Sequence, residues 1–226
     1  GGMPEICAEF LGNRDIGGLD GLYEALLTSY VDDAAKYVSG SSMFQTMRHA
    51  IESAPGETGK RIRFHGFGNS SYRSREMGEA LRTLERAMLL YLIYPVTGQA
   101  LPCLPDRKRS PRLQFIDTGL MNYHAGVQSQ YVGVADLSGH YSGRLTEQVV
   151  GQEILAGNYL HNRKPMFWVR EKSGSSSEVD FVIPHRSELI PVEVKSGKVG
   201  TLRSLHVFMD EVQHGTAVRL YAGGIQ

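Results

Sequence analysis

Two runs between Glu178 and Lys195 constrain this chain most, because their period fits only paired strands. Glu178-Val179-Asp180-Phe181-Val182-Ile183 alternates with period two, and Leu189 to Lys195 closes on a second alternating run, Val192-Glu193-Val194-Lys195. Pro184 to Glu188 separates them as a turn, so the pair reads as a short hairpin. Period two sets Glu178, Asp180 and Val182 on one face of the first strand, and Val179, Phe181 and Ile183 on the other. On the second strand Glu193 and Lys195 share a face, opposite Val192 and Val194. The hairpin can therefore bring Asp180, Glu193 and Lys195 together. Two convergent carboxylates repel each other unless something positive lies between them, and an oxygen-liganded Mg²⁺ (or Mn²⁺) meets that need. A lysine two residues beyond the second acid can orient a water or neutralise a phosphate. The competing reading is a solvated strand face.

The flanking sequence frames this hairpin. Arg144 to Leu160 reads as a helix, Met166 to Arg170 as a strand, and Lys172 to Ser177 as a Ser/Gly loop. Thr201 to Val212 reads as a helix and Ala217 to Tyr221 as a last strand, which gives the order α-β-β-β-α-β. Glu147 lies on the same helical side as Val150, Gly151 and Ile154, an apolar side that rarely carries an acid with structural duties alone. It is the third candidate carboxylate; Glu153, near Val149 and Leu160, is the reserve.

The first half of the chain reads as helical. Leu22, Leu26, Tyr30, Ala34 and Tyr37 recur at helical spacing over Leu19–Tyr37, with Asp20 as N-cap and Gly40 as stop. A second helix runs from Met43 to Ser53 with Phe44, Met47 and Ile51 on one face, ended by Pro55-Gly56. A loop with a short strand, Lys60 to Phe64, precedes a third helix from Arg73 to Met88 that uses Met77, Leu81, Leu84 and Met88. A strand over Tyr91–Val96 follows. Helix, helix and hairpin is the order of a winged helix, with Arg73–Met88 as recognition helix. Leu113 to Ile116 reads as a strand ending at Asp117, and 126–142 as a connection between domains.

Lys+Arg and Asp+Glu are both 24, so a globally basic nucleic-acid coat is excluded while local patches are not. Arg75, Arg82 and Arg86 share a face of the third helix and are candidate phosphate contacts, with Glu76, Glu79 and Glu85 counting against them. Arg107, Lys108, Arg109 and Arg112 form the densest positive cluster and are also candidate phosphate contacts, against a solvated-loop reading. Cys7 and Cys103 have no CxxC partner, which speaks against a disulfide framework or a Cys-type zinc site. The longest apolar run, Ala87 to Val96, is far short of the ~20 residues of a membrane span. No signal peptide opens the chain, so a cytoplasmic protein is expected.

Several tempting patterns fail. Gly59-Lys60 lacks the P-loop's first glycine (Ala54) and its hydroxyl (Arg61), so no ATP site is expected there. Gly66-Phe67-Gly68 meets Ser71 where a dinucleotide loop needs its third glycine. The histidines, among them His161, His185, His206 and His214, show no paired metal spacing. Trp168 reads as core, and no Ser-His-Asp set stands out.

Asp180 followed by Glu193-Val194-Lys195, with the helical Glu147 upstream, resembles the PD-(D/E)xK nuclease superfamily, although Val179 stands where the name-giving proline would be. That resemblance implies metal-binding acids at Glu147, Asp180 and Glu193 and a catalytic lysine at Lys195. A second resemblance spans nearly the whole chain. Gly1-Gly2-Met3-Pro4-Glu5, Tyr30 to Tyr37, Phe115-Ile116-Asp117-Thr118-Gly119-Leu120, Glu178 to Val182 and Pro191 to Gly197 resemble the C-terminal part of AAA-plus-type ATPases that end in a nuclease-like domain of unknown function. It implies that Gly1-Gly2-Met3 is native and that an ATPase core, which would carry the ATP, precedes this chain.

The expectation is thus an α/β chain: a helical segment over 1–40, a winged-helix-like domain over 41–125, and an αβββαβ restriction-endonuclease-like domain over 126–226. The expected function is DNA phosphodiester hydrolysis. Glu147, Asp180 and Glu193 would hold Mg²⁺, and Lys195 would position the attacking water. The alternative is a catalytically silent nuclease-fold module that binds DNA or protein and regulates the ATPase. A third reading is an interaction domain that packs the ATPase into oligomers.

Overall fold

The computed structural model describes residues 1–37, 40–128, 140–158, 164–172, 175–196, 201–212 and 215–221. They form a mixed α/β structure in two units: Gly1–Leu92 with Leu113–Val134, and Ile93–Arg112 with Ala135–Gln226. The segment Ile93–Arg112 thus goes with the C-terminal unit, whereas the sequence alone keeps 41–125 together. The cause is strand pairing, described below.

The first unit is mainly helical. Its helices are α1 (Pro4–Asn13), α2 (Asp20–Ala35), α3 (Ser41–Glu57), α4 (Ser74–Arg86) and α5 (Thr118–His124). α1 and α5 have no counterpart among the expected elements. α1 opens on Pro4, whose missing N–H costs nothing in a first turn. α5 is capped by Asp117, which accepts from the Leu120 N–H at 2.7 Å.

Other details differ from expectation. In α2 Ala34 is buried as expected, but Tyr23 and Leu27 are buried in place of Leu22 and Leu26, one step round from the expected stripe, and Tyr37 is exposed. α3 runs on through Pro55 to Glu57. Residues 60–64 hold an isolated bridge rather than a strand. α4 buries Met77, Leu81 and Leu84 but stops at Arg86. Met88 then takes a positive φ of 58° while the Leu89 N–H closes on Leu84 O, so Met88 points outward and is exposed.

The strand expected over 91–96 is divided. β1 (Leu90–Ile93) pairs with β3 (Arg112–Phe115) in a two-stranded sheet. β2 (Pro95–Val96) instead pairs in parallel with β4 (Met166–Lys172) and opens a five-stranded mixed sheet. No hairpin therefore joins the two halves of this run.

That sheet is the core of the second unit, in the order β2-β4-β5-β6-β7, with β5 at Ser175–His185, β6 at Glu188–Lys195 and β7 at Val218–Tyr221. With α6 (His140–Gly157) and α7 (Arg203–Met209) the chain order is α-β-β-β-α-β. One face of the sheet buries Trp168, Val179, Val182 and Leu189 with Leu205 and Phe208 of α7. Phe181, Val192 and Val194 pack instead with Val150 and Ile154 of α6.

Val182 and Phe181 are thereby exchanged relative to strict alternation. Between the pairs Met166↔Val182 and Trp168↔Val179, β4 spends one residue, Phe167, where β5 spends Asp180 and Phe181. This β-bulge reverses the facing of every residue after it, so Val182 joins Val179 in the core, while Phe181 and Ile183, on one face together as expected, turn toward α6.

Candidate functional site

The bulge also places Asp180. Its Oδ2 accepts the Val194 N–H at 2.9 Å, beyond the last regular β5–β6 pair, Phe181↔Val192. A carboxylate replaces a ladder carbonyl there, and its other oxygen is left for neighbouring cations. The Asp180 side chain is 12% exposed.

The nearest cation is Arg112, at the start of β3 and 14% exposed in its side chain. Its Nη2 pairs with Glu178 Oε1 and lies 3.6 Å from Asp180 Oδ1, and its Nη1 lies 3.6 Å from Glu147 Oε2. The Phe167 ring lies under the guanidinium, 4.8 Å from centroid to Cζ, which supports a buried cation further. Burial works against the Arg112 charge, but Glu178, Glu147 and Asp180 outweigh it and hold its pKa above the usual value.

Glu193 and Lys195 form a second pair on β6. Lys195 Nζ donates to Glu193 Oε1 at 2.5 Å, while Glu193 Oε2 is buried with no hydrogen-bond partner. The Glu193 side chain is 7% exposed. Desolvation, then the Asp180 charge, push its pKa up, against the pull of Lys195 and Arg112. Desolvation likewise lifts Glu147 to about 7 in spite of Arg112, with Asp180 and Glu178 adding to the rise and Lys195 opposing it. Among the described residues four carboxylates here face one guanidinium and one ammonium; burial is the main cause of the raised pKa values of Glu147 and Glu193, and neighbouring negative charge adds to it.

The expected acids and lysine are therefore neighbours. Two further residues join them, Arg112 and Glu178, which sequence reasoning leaves out of the site. Glu178 is legible, since alternation sets it beside Asp180. Arg112 reads as a loop cation because nothing local ties residue 112 to residue 180. Glu153 is exposed on α6. As they stand, these side chains do not fit a metal ion. Among the described residues no three His, Cys, Asp or Glu converge as a ligand set, and Arg112 lies against two of the three expected ligands.

The candidate phosphate contacts divide between the units. Arg75, Arg82 and Arg86 are exposed on α4, where Arg86 also donates to Thr83 Oγ1 at 2.8 Å. Arg107 and Lys108 are exposed in the second unit, but Arg109 is tied to Asp106 at 3.0 Å and to Glu171. His185 and His206 are exposed, and His161 and His214 lie outside the described residues. Cys7 and Cys103 are both free. No helix among the described residues is long and apolar enough to cross a membrane.

Two family models match this chain. A domain of unknown function, DUF8612, matches residues 1–131, and a second, DUF4143, matches residues 142–224. The chain belongs to the DUF8612 family, whose model spans more than half of it, and its sheet-bearing C-terminal part matches the DUF4143 model. No curated protein and no solved structure matches it.

Proposed function

We propose that this chain is the DNA-acting C-terminal part of an AAA-plus-type ATPase, and that its nuclease-like domain works as a binding module without turnover. The single observation that carries the silent reading is the guanidinium of Arg112 among Glu147, Glu178 and Asp180, where a hydrolase would need a cation with open coordination positions. The whole-chain motifs support the ATPase assignment, and the α-β-β-β-α-β order with its acid–lysine cluster supports the nuclease-like domain. The exposed Arg75, Arg82 and Arg86 of α4 favour DNA as the ligand, contacted through phosphates by the mainly helical first unit. Replacing Arg82 and Arg86 together by Ala is expected to flatten the salt dependence of DNA affinity by ~1.8, at ~0.9 for each phosphate no longer neutralised. Measured in chelator, an unchanged slope removes this helix from the DNA surface.

One observation favours the second reading, a Mg²⁺-dependent DNA phosphodiester hydrolase. Glu193 Oε2 is a buried acceptor without a partner, and Lys195 stands beside it as the lysine of a PD-(D/E)xK site would. Nicking of plasmid that requires Mg²⁺ and disappears in Lys195→Ala is the outcome that selects this reading.

A further inference from the structure

The cluster poses an electrostatic problem that its own side chains leave unsolved. Glu147, Glu178, Asp180 and Glu193 act on one another across a part-buried site, and Arg112 and Lys195 are the cations that act on Glu147 and Glu193. Lys195 is committed to Glu193 Oε1 at 2.5 Å. Among the described residues Arg112 is the cation within 4 Å of the other three, and its fork is stretched over them, close to Glu178 but 3.6 Å from Glu147 and from Asp180. At 3.6 Å these last two are charge contacts rather than hydrogen bonds. Meanwhile Glu193 Oε2 is buried with no partner, and so is Arg112 Nε. A buried carboxylate oxygen without a donor is costly, and it marks a place that a cation can fill.

We propose that Arg112 is a resident counter-cation that closes the acid cluster, and that a divalent cation binds Asp180 and Glu193 only when this guanidinium is displaced. The inference rests on the silent reading of the site and adds how the silence is imposed. Two like charges cannot share this space, since a guanidinium within 4 Å of Asp180 repels any ion that the same carboxylate would ligate. Arg112 is the first residue of the four-residue strand β3, and beyond its ion pairs its Nη1 donates to the Asp180 carbonyl oxygen at 3.4 Å. Its contacts with Glu147 and Asp180 Oδ1 are charge contacts, so the close pair with Glu178 is the one that a competing anion must replace. A polyanion offering phosphates to Arg112 would compete directly with Glu178, because the guanidinium fork suits either partner.

The test is Mn²⁺ binding to the full chain, followed by calorimetry and by the loss of the free Mn²⁺ paramagnetic resonance signal, with no DNA and no activity readout. Arg112→Gln is expected to bind Mn²⁺ about 10–100-fold more tightly than wild type, the scale of removing one nearby positive charge from a part-buried site. Adding Asp180→Asn or Glu193→Gln to Arg112→Gln is expected to abolish the gain, and Mn²⁺ is expected to raise the melting temperature of Arg112→Gln but not of wild type. Arg112→Lys, whose single ammonium cannot span all three acids, is expected to give an intermediate gain and is read in its place should Arg112→Gln not fold. Equal, weak Mn²⁺ binding in wild type and both variants overturns the inference while leaving the silent DNA-binding reading intact. Tight binding to wild type, unchanged in the variants, overturns both.

Discussion

Two buried acidic regions of this molecule meet opposite fates. In the first unit Asp117 is 3% exposed, yet its oxygens are both used: Oδ1 accepts the Leu120 N–H at 2.7 Å and Oδ2 accepts the Gly2 N–H. Backbone donors surround a single charge, and the glycines at 1 and 119 give it room, since a Cβ at either would collide with the Asp117 carboxylate or Tyr23. In the second unit four carboxylates crowd two cations among the described residues, Glu193 Oε2 is left without a partner, and Glu147 is lifted to about 7. Fixed N–H dipoles compensate a lone buried carboxylate without adding mobile charge. Clustered carboxylates need a cation, and a side-chain cation can be exchanged. The first arrangement holds structure; the second is the one that the proposed exchange of Arg112 would alter.

The largest effect is expected where compensation is complete. Asp117→Ala should lower the stability of the first unit by about 2–4 kcal/mol in urea unfolding, as the cap and a second charged hydrogen bond disappear together. A loss below about 1 kcal/mol would remove the contrast between the two regions.

Glu147→Gln should act in the other direction. Its folded pKa, raised to about 7, lies above the ordinary 4.5, so between these values the folded chain holds a proton that the unfolded chain has released. Stability should therefore fall as pH rises through that window, and the penalty stays in place above it. Glu147→Gln should gain about 1–2 kcal/mol near pH ~8 and nothing near pH ~4. A gain independent of pH would point to packing rather than charge.

A smaller effect concerns Tyr23, which is 4% exposed, stacks on Tyr123 with centroids 5.0 Å apart, and has its pKa pushed up to about 12 by burial and by Asp117. Its neutral form is favoured in the fold, so the stability it contributes is complete below the ordinary value of 10.0 and is lost as pH rises toward about 12. Tyr23→Phe should leave neutral-pH stability within about 1 kcal/mol and flatten this alkaline decline. A decline as steep as in wild type would separate Tyr23 from the Asp117 site.

Sequence is informative here where structure follows local period. Alternation and turn residues lead to the α-β-β-β-α-β order, and helical spacing puts Glu147 on the apolar side of its helix with Val150 and Ile154, the side that packs on the sheet. It is uninformative where partners are distant. The exchange of Phe181 and Val182 depends on one extra residue in β5 opposite Phe167, which only the pairing of β4 reveals. The division of 91–96 depends on β1 and β2 finding different sheets. α5 escapes a reading by period because a seven-residue helix carries little of it, although Asp117 three residues before Leu120 is its cap signal. Arg112 is visible as a cation, but its partners Glu147 and Asp180 lie far along the chain.

On this account Arg112 closes the acid cluster, and the chain binds DNA without cleaving it. Supercoiled plasmid incubated with the wild-type chain, in chelator and in Mg²⁺, tests this most directly when retardation and nicking are read from the same gel. Retardation in both conditions, with the plasmid still supercoiled, is the predicted result. Mg²⁺-dependent nicking by the wild-type chain, abolished in Lys195→Ala, would contradict it.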